Sequence, residues 1–265
     1  MVINASSISK EQIIELKRTA QKTFIKSNFK FIQEHRGFRP KAIHVLMGTA
    51  GSGKSTVVRA IIADMLKINP DSVFMWLSEE SVEDVMTGLI DNNIEESDLS
   101  KLNFSSELDS NEDMETILET VAFTNSKVLV IDNITTSKFY MDKPIQEQGA
   151  FISRLKKFAS DNDVAVVMVA HTKKDIHDNM GKLITENDIR GCSAVVNMAN
   201  FFYILQRFEI NDHFYPTVRI MKSRGQQTKD RLFHLKYSLE EQTYTEDKKL
   251  DFKSFKEAYD MRNKL

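Results

Sequence analysis

One cysteine, Cys192, occurs in 265 residues. That count excludes a disulfide within the chain and a metal centre built from several thiolates, so the small apolar thiol reads as packing. No apolar run is long enough to span a bilayer, and no signal-peptide pattern opens the chain, so no membrane attachment and a cytoplasmic location are expected. Internal repeats and low-complexity stretches are also missing. Neither sign of charge dominates, with 36 Lys and Arg against 38 Asp and Glu, a net charge of −2. The near-neutral sum conceals two faces. Residues 91–119 carry ten acids against one lysine, residues 1–44 nine bases against three acids, and residues 219–236 six bases against one acid. A surface able to meet phosphates is therefore present.

What remains is the alternation of an α/β domain, which can form one core at this length. From Ala42 onward, short apolar runs such as "AIHVLM", "SVFMWLS", "KVLVID" and "VAVVMVA" alternate with helical stretches. Nearly uninterrupted apolar strands separated by helices predict a mostly parallel twisted sheet covered on both faces. The last two runs, "PTVRIMKS" and "RLFHLKY", are separated only by "RGQQTKD" and read as antiparallel. A helix is predicted over residues 8–31, with Ser9 as its cap and Gln12 three residues on. The expected organisation is an N-terminal helix or linker over 1–36, the α/β domain over 37–246 and a helical tail over 247–265.

Within this pattern, "GTAGSGKST" contains G-x-x-x-x-G-K-[ST], directly after a strand and directly before a helix, which is the context that motif requires. The glycines Gly48, Gly51 and Gly53, with Thr49, Ala50 and Ser52, let backbone N–H groups curl around phosphates. The helix that follows points its positive end at them. Lys54 suits the β and γ phosphates, Ser55 suits Mg²⁺, and Thr56 closes the cradle. Such a loop reads phosphates rather than the base, so ATP is expected without being specified. "KVLVIDNI" ends a strand in Asp132, whose carboxylate can hold Mg²⁺ through water. "FMWLSEES" ends a strand in Glu79 and Glu80; one of them can orient an attacking water, and the spacing leaves open which.

Taken in order, five stretches resemble the RecA-fold motor domain of DnaB-like replicative helicases and the related RepA-like and KaiC-like ATPases. They are "GFRPKAIHVLMGTAGSGKST", "FMWLSEES", "KVLVIDNI", "VAVVMVAHTKK", and "DIRGCSAVVNMANFFYILQR" running on to "RIMKSRGQQTKDRLFHL". The resemblance implies a RecA-like P-loop fold and a DNA helicase that hydrolyses ATP with Mg²⁺. It places His171 where the family senses the γ-phosphate, and Lys222 and Arg224 where a Lys-x-Arg pair reaches a neighbouring subunit's nucleotide. A homo-oligomer, as hexameric ring or filament, follows from that.

The same resemblance makes two loops, 135–149 and 171–191, the grip on single-stranded DNA. Lys138, Lys143, Lys173, Lys174, Lys182 and Arg190 are the expected phosphate contacts, with Phe139 or Tyr140 stacking on a base. Residues 9–34 are placed where a linker helix docks on the adjacent subunit or on its own domain. Replication partners are implied as well. Two rival readings stand beside this one: a RecA-related recombinase or annealing ATPase forming a filament on single strands, and a KaiC-like regulatory ATPase acting on a protein partner.

Overall fold

In the computed structural model the described residues are 9, 24–69, 71–90, 92, 94–173, 176, 183–210, 213–224, 231–241, 243–255 and 257. Among them the strands are β1 (Ala42–Gly48), β2 (Val73–Leu77), β3 (Leu102–Ser106), β4 (Val128–Asp132), β5 (Ala165–His171), β6 (Phe201–Ile210), β7 (His213–Ser223), β8 (Leu232–Ser238) and β9 (Thr243–Leu250). The helices are α1 (Lys30–Gln33), α2 (Lys54–Ile68), α3 (Val82–Ile90), α4 (Glu96–Leu99), α5 (Met114–Phe123), α6 (Ile145–Asn162) and α7 (Ala194–Met198).

One sheet joins all the strands in the order β3-β2-β4-β5-β1-β6-β7-β8-β9. The first six are mutually parallel, and β7 to β9 are antiparallel. Alternate residues of each inner strand feed two separate cores. Leu46, Met75, Val130 and Val167 pack with α2 and with Phe31 and Ile32. Val45, Trp76, Ile131 and Met168 pack with α5 and α6. Two covered faces explain why these strands are apolar at nearly every position.

The order positions the chemistry. β5 lies between β1 and β4, and the register pairs Gly48 with His171 and Leu77 with Asp132. Parallel strands end on the same side, so these residues share one rim, the end of an open α/β sheet where ligands bind.

Three expectations change. Of the helix expected over 8–31, most lies outside the described residues. Residues 24–29 are not helical: Ile25 pairs with Phe38 as an antiparallel bridge, and helix begins only at Lys30. The cause is a set of competing polar partners, because the Asp64 carboxylate takes Ser27 Oγ at 2.7 Å and Asn28 N at 2.6 Å. The helical tail expected from 247 gives way to strand through Leu250, with helix from Phe252. β9 itself was hidden because "TYTEDKKL" is a charged edge strand, the kind of sequence that discourages edge-to-edge pairing.

Asp247 ties this strand to the entry segment. Its buried carboxylate accepts the backbone N–H groups of Lys30 (2.6 Å) and Phe31 (2.8 Å), the otherwise unpaired donors of α1. Asp247→Ala should therefore lower stability by about 2 kcal/mol, read as a lower urea midpoint. Lys157→Ala, which breaks an exposed pair with Asp161, should cost roughly 0.5 kcal/mol or less. Equal effects would remove the capping role.

Candidate active site

The loop from Gly48 to Ser55 is built by two glycines for two reasons. A Cβ on Gly48 would lie 2.7 Å from both the Leu205 carbonyl and Ser52 Oγ, so β1 can end there only without a side chain. Gly53 has φ 88°, a left-handed conformation that lets the chain turn directly into α2. The Thr49 carbonyl accepts Lys54 Nζ at 2.6 Å and Ser52 Oγ at 2.8 Å. Lys54 is 5% exposed, a charge kept at the mouth of α2 where an anion would meet both it and the helix end.

Asp132 lies 5% exposed at the end of β4. Burial, followed by the charge of Glu80, pushes its carboxyl up to about 7; the facing Ser55 hydroxyl and Lys54 ammonium pull it back, and Glu79 adds to the rise. Asp132 thus faces the Ser55 hydroxyl within electrostatic reach of Lys54, Glu80 and Glu79. Carboxylate and hydroxyl are hard oxygen donors. No cluster of three or more His, Cys, Asp or Glu that could hold a metal occurs among the described residues. The donor set fits Mg²⁺, which uses one or two protein oxygens and takes the rest from phosphate and water.

The two glutamates after β2 part company. Glu80 is engaged by Arg59 of α2, whose Nη1 lies 3.3 Å from Oε1 and 3.1 Å from Oε2. Glu79 points to the strand ends instead: its Oε2 accepts Asn133 Nδ2 and lies 3.3 Å from His171 Nε2. Asn133 Nδ2 is 3.0 Å from the same imidazole nitrogen. Asn133 is locked in turn, because its Oδ1 accepts Thr135 Oγ1 at 2.7 Å and Thr136 N at 3.0 Å, and its N–H donates to Ser78 Oγ at 3.0 Å. Burial and the nearby Lys54 hold the His171 imidazole below its usual range, and its Nδ1 is buried with no partner among the described residues.

Lys222 and Arg224 do not join this group. β6 pairs with β1 so that Leu205 meets Gly48 and Phe201 meets His44, and β7 returns along β6 with Lys222 opposite Phe202. Both cations therefore sit at the far rim, about 13 Å down the sheet for the four residues from His44 to Gly48. Lys222 Nζ donates to the Val196 carbonyl at 2.7 Å and Arg224 Nη2 to the Asn197 carbonyl at 2.8 Å, so the pair is held side by side.

The expected nucleic-acid contacts scatter. Lys138 Nζ donates to the Ser110 carbonyl at 3.3 Å and lies over the Phe139 ring. Lys143 is exposed, Lys173 Nζ donates to the Asn187 carbonyl at 2.9 Å, and Arg190 is half-buried beside His171. Lys174 and Lys182 lie outside the described residues. The stacking role expected of Phe139 or Tyr140 is not available to Tyr140, which is 2% exposed with its hydroxyl accepting Cys192 N at 2.9 Å. Phe139 packs edge-on to Trp76. Tyr140 is core and Phe139 partly buried because the loop after β4 is clamped by Glu107, which takes Trp76 Nε1, Ser137 Oγ and Lys138 N.

Sequence reasoning missed four participants. Asn133 had a signal, its place directly after the Asp132 that ends a strand. Arg59 had none, since only the fold brings α2 to Glu80. Tyr244, whose hydroxyl would lie 3.1 Å from a Cβ on Gly53, comes from β9, and Ser78 supports Asn133 from across the rim.

With this geometry in view, likeness to known proteins becomes interpretable. No curated protein sequence matches the chain. The fold is similar to the crystal structure of a KaiC-like protein from the hyperthermophilic archaeon Pyrococcus horikoshii OT3. The two share 16% identity, with a TM-score of 0.65 over 84% of this chain and 98% of that one. The architecture is accordingly that of a RecA-like P-loop NTPase. A family profile matches residues 44–187, from within β1 into the 171–191 loop. That span is more than half of the chain, and it contains the phosphate loop, both glutamates, Asp132, Asn133 and His171: the chain belongs to the AAA family, the ATPase family associated with various cellular activities.

Proposed function

We propose that this ATPase is the motor of a DnaB-like DNA helicase, hydrolysing ATP with Mg²⁺ and moving along single-stranded DNA as an oligomer. The observation that carries the reading is the stem of the 171–191 loop. Its two sides close on the γ-phosphate side of the rim: Arg190 N donates to the His171 carbonyl at 3.0 Å, Lys173 N to the Asp188 carbonyl at 2.8 Å, and Thr172 bridges Ile189. The imidazole that touches Glu79 and Asn133 is thus the first residue of a surface loop carrying Lys173 and Arg190. A change at the phosphate reaches that loop through one residue.

In this mechanism the backbone N–H groups of 48–55 and Lys54 bind the β and γ phosphates. Ser55 and Asp132 would hold Mg²⁺, which would supply charge neutralisation for the phosphates. Glu79 orients the attacking water, since Glu80 is committed to Arg59. Tyr244, buried on β9 with its hydroxyl against Gly53, backs the phosphate loop. Lys222 and Arg224, remote from their own phosphate loop, complete the site of a neighbouring copy.

A second reading, a KaiC-like regulatory ATPase acting on a protein, is favoured by two observations. The 171–191 loop is electrically balanced, with four bases and four acids, and of the aromatic rings expected to stack on bases Tyr140 is core and Phe139 is packed edge-on to Trp76.

Steady-state hydrolysis with and without single-stranded DNA separates the two readings. Stimulation by DNA, abolished by Lys54→Ala and reduced roughly 10³-fold by Arg224→Ala, is the expected result. Hydrolysis indifferent to DNA would move the assignment to the protein-directed reading. For the water, Glu79→Gln should lower kcat by about 10²–10⁴ and Glu80→Gln by less than about tenfold; the reverse ranking would transfer the role to Glu80.

Asp132 makes a pH prediction. A carboxyl raised to about 7 in the folded chain contributes stability that is full below its ordinary pKa and lost as the pH rises through 7. Asp132→Asn should therefore raise the Tm of the ligand-free protein at about pH 8 more than at about pH 5. The added Tm conferred by Mg²⁺ with ATP should grow from about pH 6 to 8, and Asp132→Asn should remove that growth.

A further inference from the structure

The far rim of the sheet, at the N-terminal ends of β1 and β6, carries more positive charge than Lys222 and Arg224 alone. Arg39 comes from the segment leading into β1, and Lys156 from α6. The four lie around the segment 196–201: Lys222 and Arg224 bond the carbonyls of Val196 and Asn197, Lys156 bonds Asn200, and Arg39 covers Phe201. The Asn200 carbonyl accepts Arg224 N at 2.9 Å, and its Oδ1 accepts Lys156 Nζ at 2.5 Å and Ile43 N at 3.0 Å. Lys156 Nζ also reaches the Lys41 carbonyl at 3.2 Å. Arg39 lays its guanidinium over the Phe201 ring, 5.2 Å from the centroid, and among the described residues that guanidinium has neither hydrogen bond nor ion pair.

Every partner in this cluster is a neutral oxygen or a ring. Among the described residues no carboxylate forms an ion pair with any of the four, although Glu186 is felt at Lys222. Burial, and then mutual repulsion, holds three of them below their usual range: Arg39 through Arg224, Lys156 through Arg39 and Arg224, and Lys222 through Arg224. Arg39, Lys156 and Lys222 are half-buried, so water screens them less than it would a solvated face. An arrangement of this kind costs the isolated chain stability and is balanced by an anion carrying several charges. Two guanidinium forks beside two ammonium groups suit phosphate oxygens, the forks for paired contacts and the ammonium groups as point charges.

We propose that Arg39 and Lys156 join Lys222 and Arg224 in a four-cation receptor for the triphosphate of a neighbouring copy of this chain. The proposal rests on the assembled-ATPase reading above and extends it to two residues outside the Lys-x-Arg pair. The chain's own nucleotide does not reach them, because the phosphate loop lies at the opposite end of β1. The four cations come from three separate parts of the chain: the segment before β1, α6, and the end of β7 with the residue that follows it.

Subunit mixing tests it. The double variant Arg39→Gln with Lys156→Gln should lose at least about tenfold in kcat, with unchanged binding of a fluorescent ATP analogue and a urea midpoint no lower than that of the parent chain. Alone, Lys54→Ala should be inactive. Mixed, the two should exceed the sum of their separate activities, because a Lys54→Ala protomer lends its cations to a partner whose phosphate loop is intact. A parallel mixture of Arg224→Ala with Lys54→Ala serves as reference. Full activity of the double variant would overturn the proposal. So would a mixture that fails to recover while the reference mixture does. If neither mixture recovers, the shared-site reading falls, and this proposal with it. Lys156→Arg, which keeps the charge and the donor to Asn200, should retain activity; a loss as deep as that of Lys156→Gln would make the residue a packing element and overturn its part. Dependence on phosphates of DNA rather than of a neighbouring nucleotide would appear as a loss seen only with DNA present and unaffected by mixing, which also overturns it.

Discussion

The ionisation of one buried carboxylate governs the rim of this sheet. Asp132 is enclosed by β2 and β5, with Glu79 and Glu80 adding negative potential and Lys54 as the near cation. In a low-dielectric setting an unbalanced charge of this kind is among the least favourable things a fold can carry. The surrounding features can be understood as its accommodation. Arg59 neutralises Glu80, Asn133 and His171 bind Glu79, and Ser55 faces Asp132 itself. Each of these contacts leaves the centre able to accept a cation instead of a proton.

Sheet order converts that local constraint into a coupled one. Because β5 is inserted between the strands of the phosphate loop and of Asp132, its last residue touches groups from both neighbours, and the next residue belongs to the 171–191 loop. A side chain that reports the phosphate state and a segment that can grip a partner are thereby adjacent in the chain. Asn133 acts as the hinge pin of the group, with its amide committed on one side to Glu79 and His171 and on the other to the turn Thr135–Thr136.

Legibility in the sequence followed burial and locality. The parallel core was readable because both faces of its strands are covered, which leaves long apolar runs bounded by turns. The phosphate loop was readable because ten consecutive residues contain its chemistry and its strand–loop–helix context. The choice between Glu79 and Glu80 was not, since adjacent residues differ only in where the backbone aims them, and the deciding partners, Arg59 for Glu80 and Asn133 for Glu79, are 21 and 54 residues away. Tyr140 misled for a related reason. A tyrosine in a polar loop looks exposed, and only the Glu107 clamp from β3 turns that loop inward. β9 escaped because an edge strand hides its period behind charge, with Thr243, Tyr244 and Asp247 alone among its described side chains facing in.

That edge strand also sets how the molecule responds to force. β9 is hydrogen-bonded along one side only, to β8, with Leu250 opposite Leu232 at one end and Thr243 opposite Ser238 at the other. Tension applied beyond Leu250 loads these bonds in sequence rather than all together, so the strand peels while the parallel core, bonded on both sides, stays intact. The peeling front meets Asp247 first, releasing Lys30 and Phe31, and next Tyr244, withdrawing the ring from Gly53. A mechanical pull on one end of the chain would thus loosen the phosphate loop before any other part of the nucleotide site.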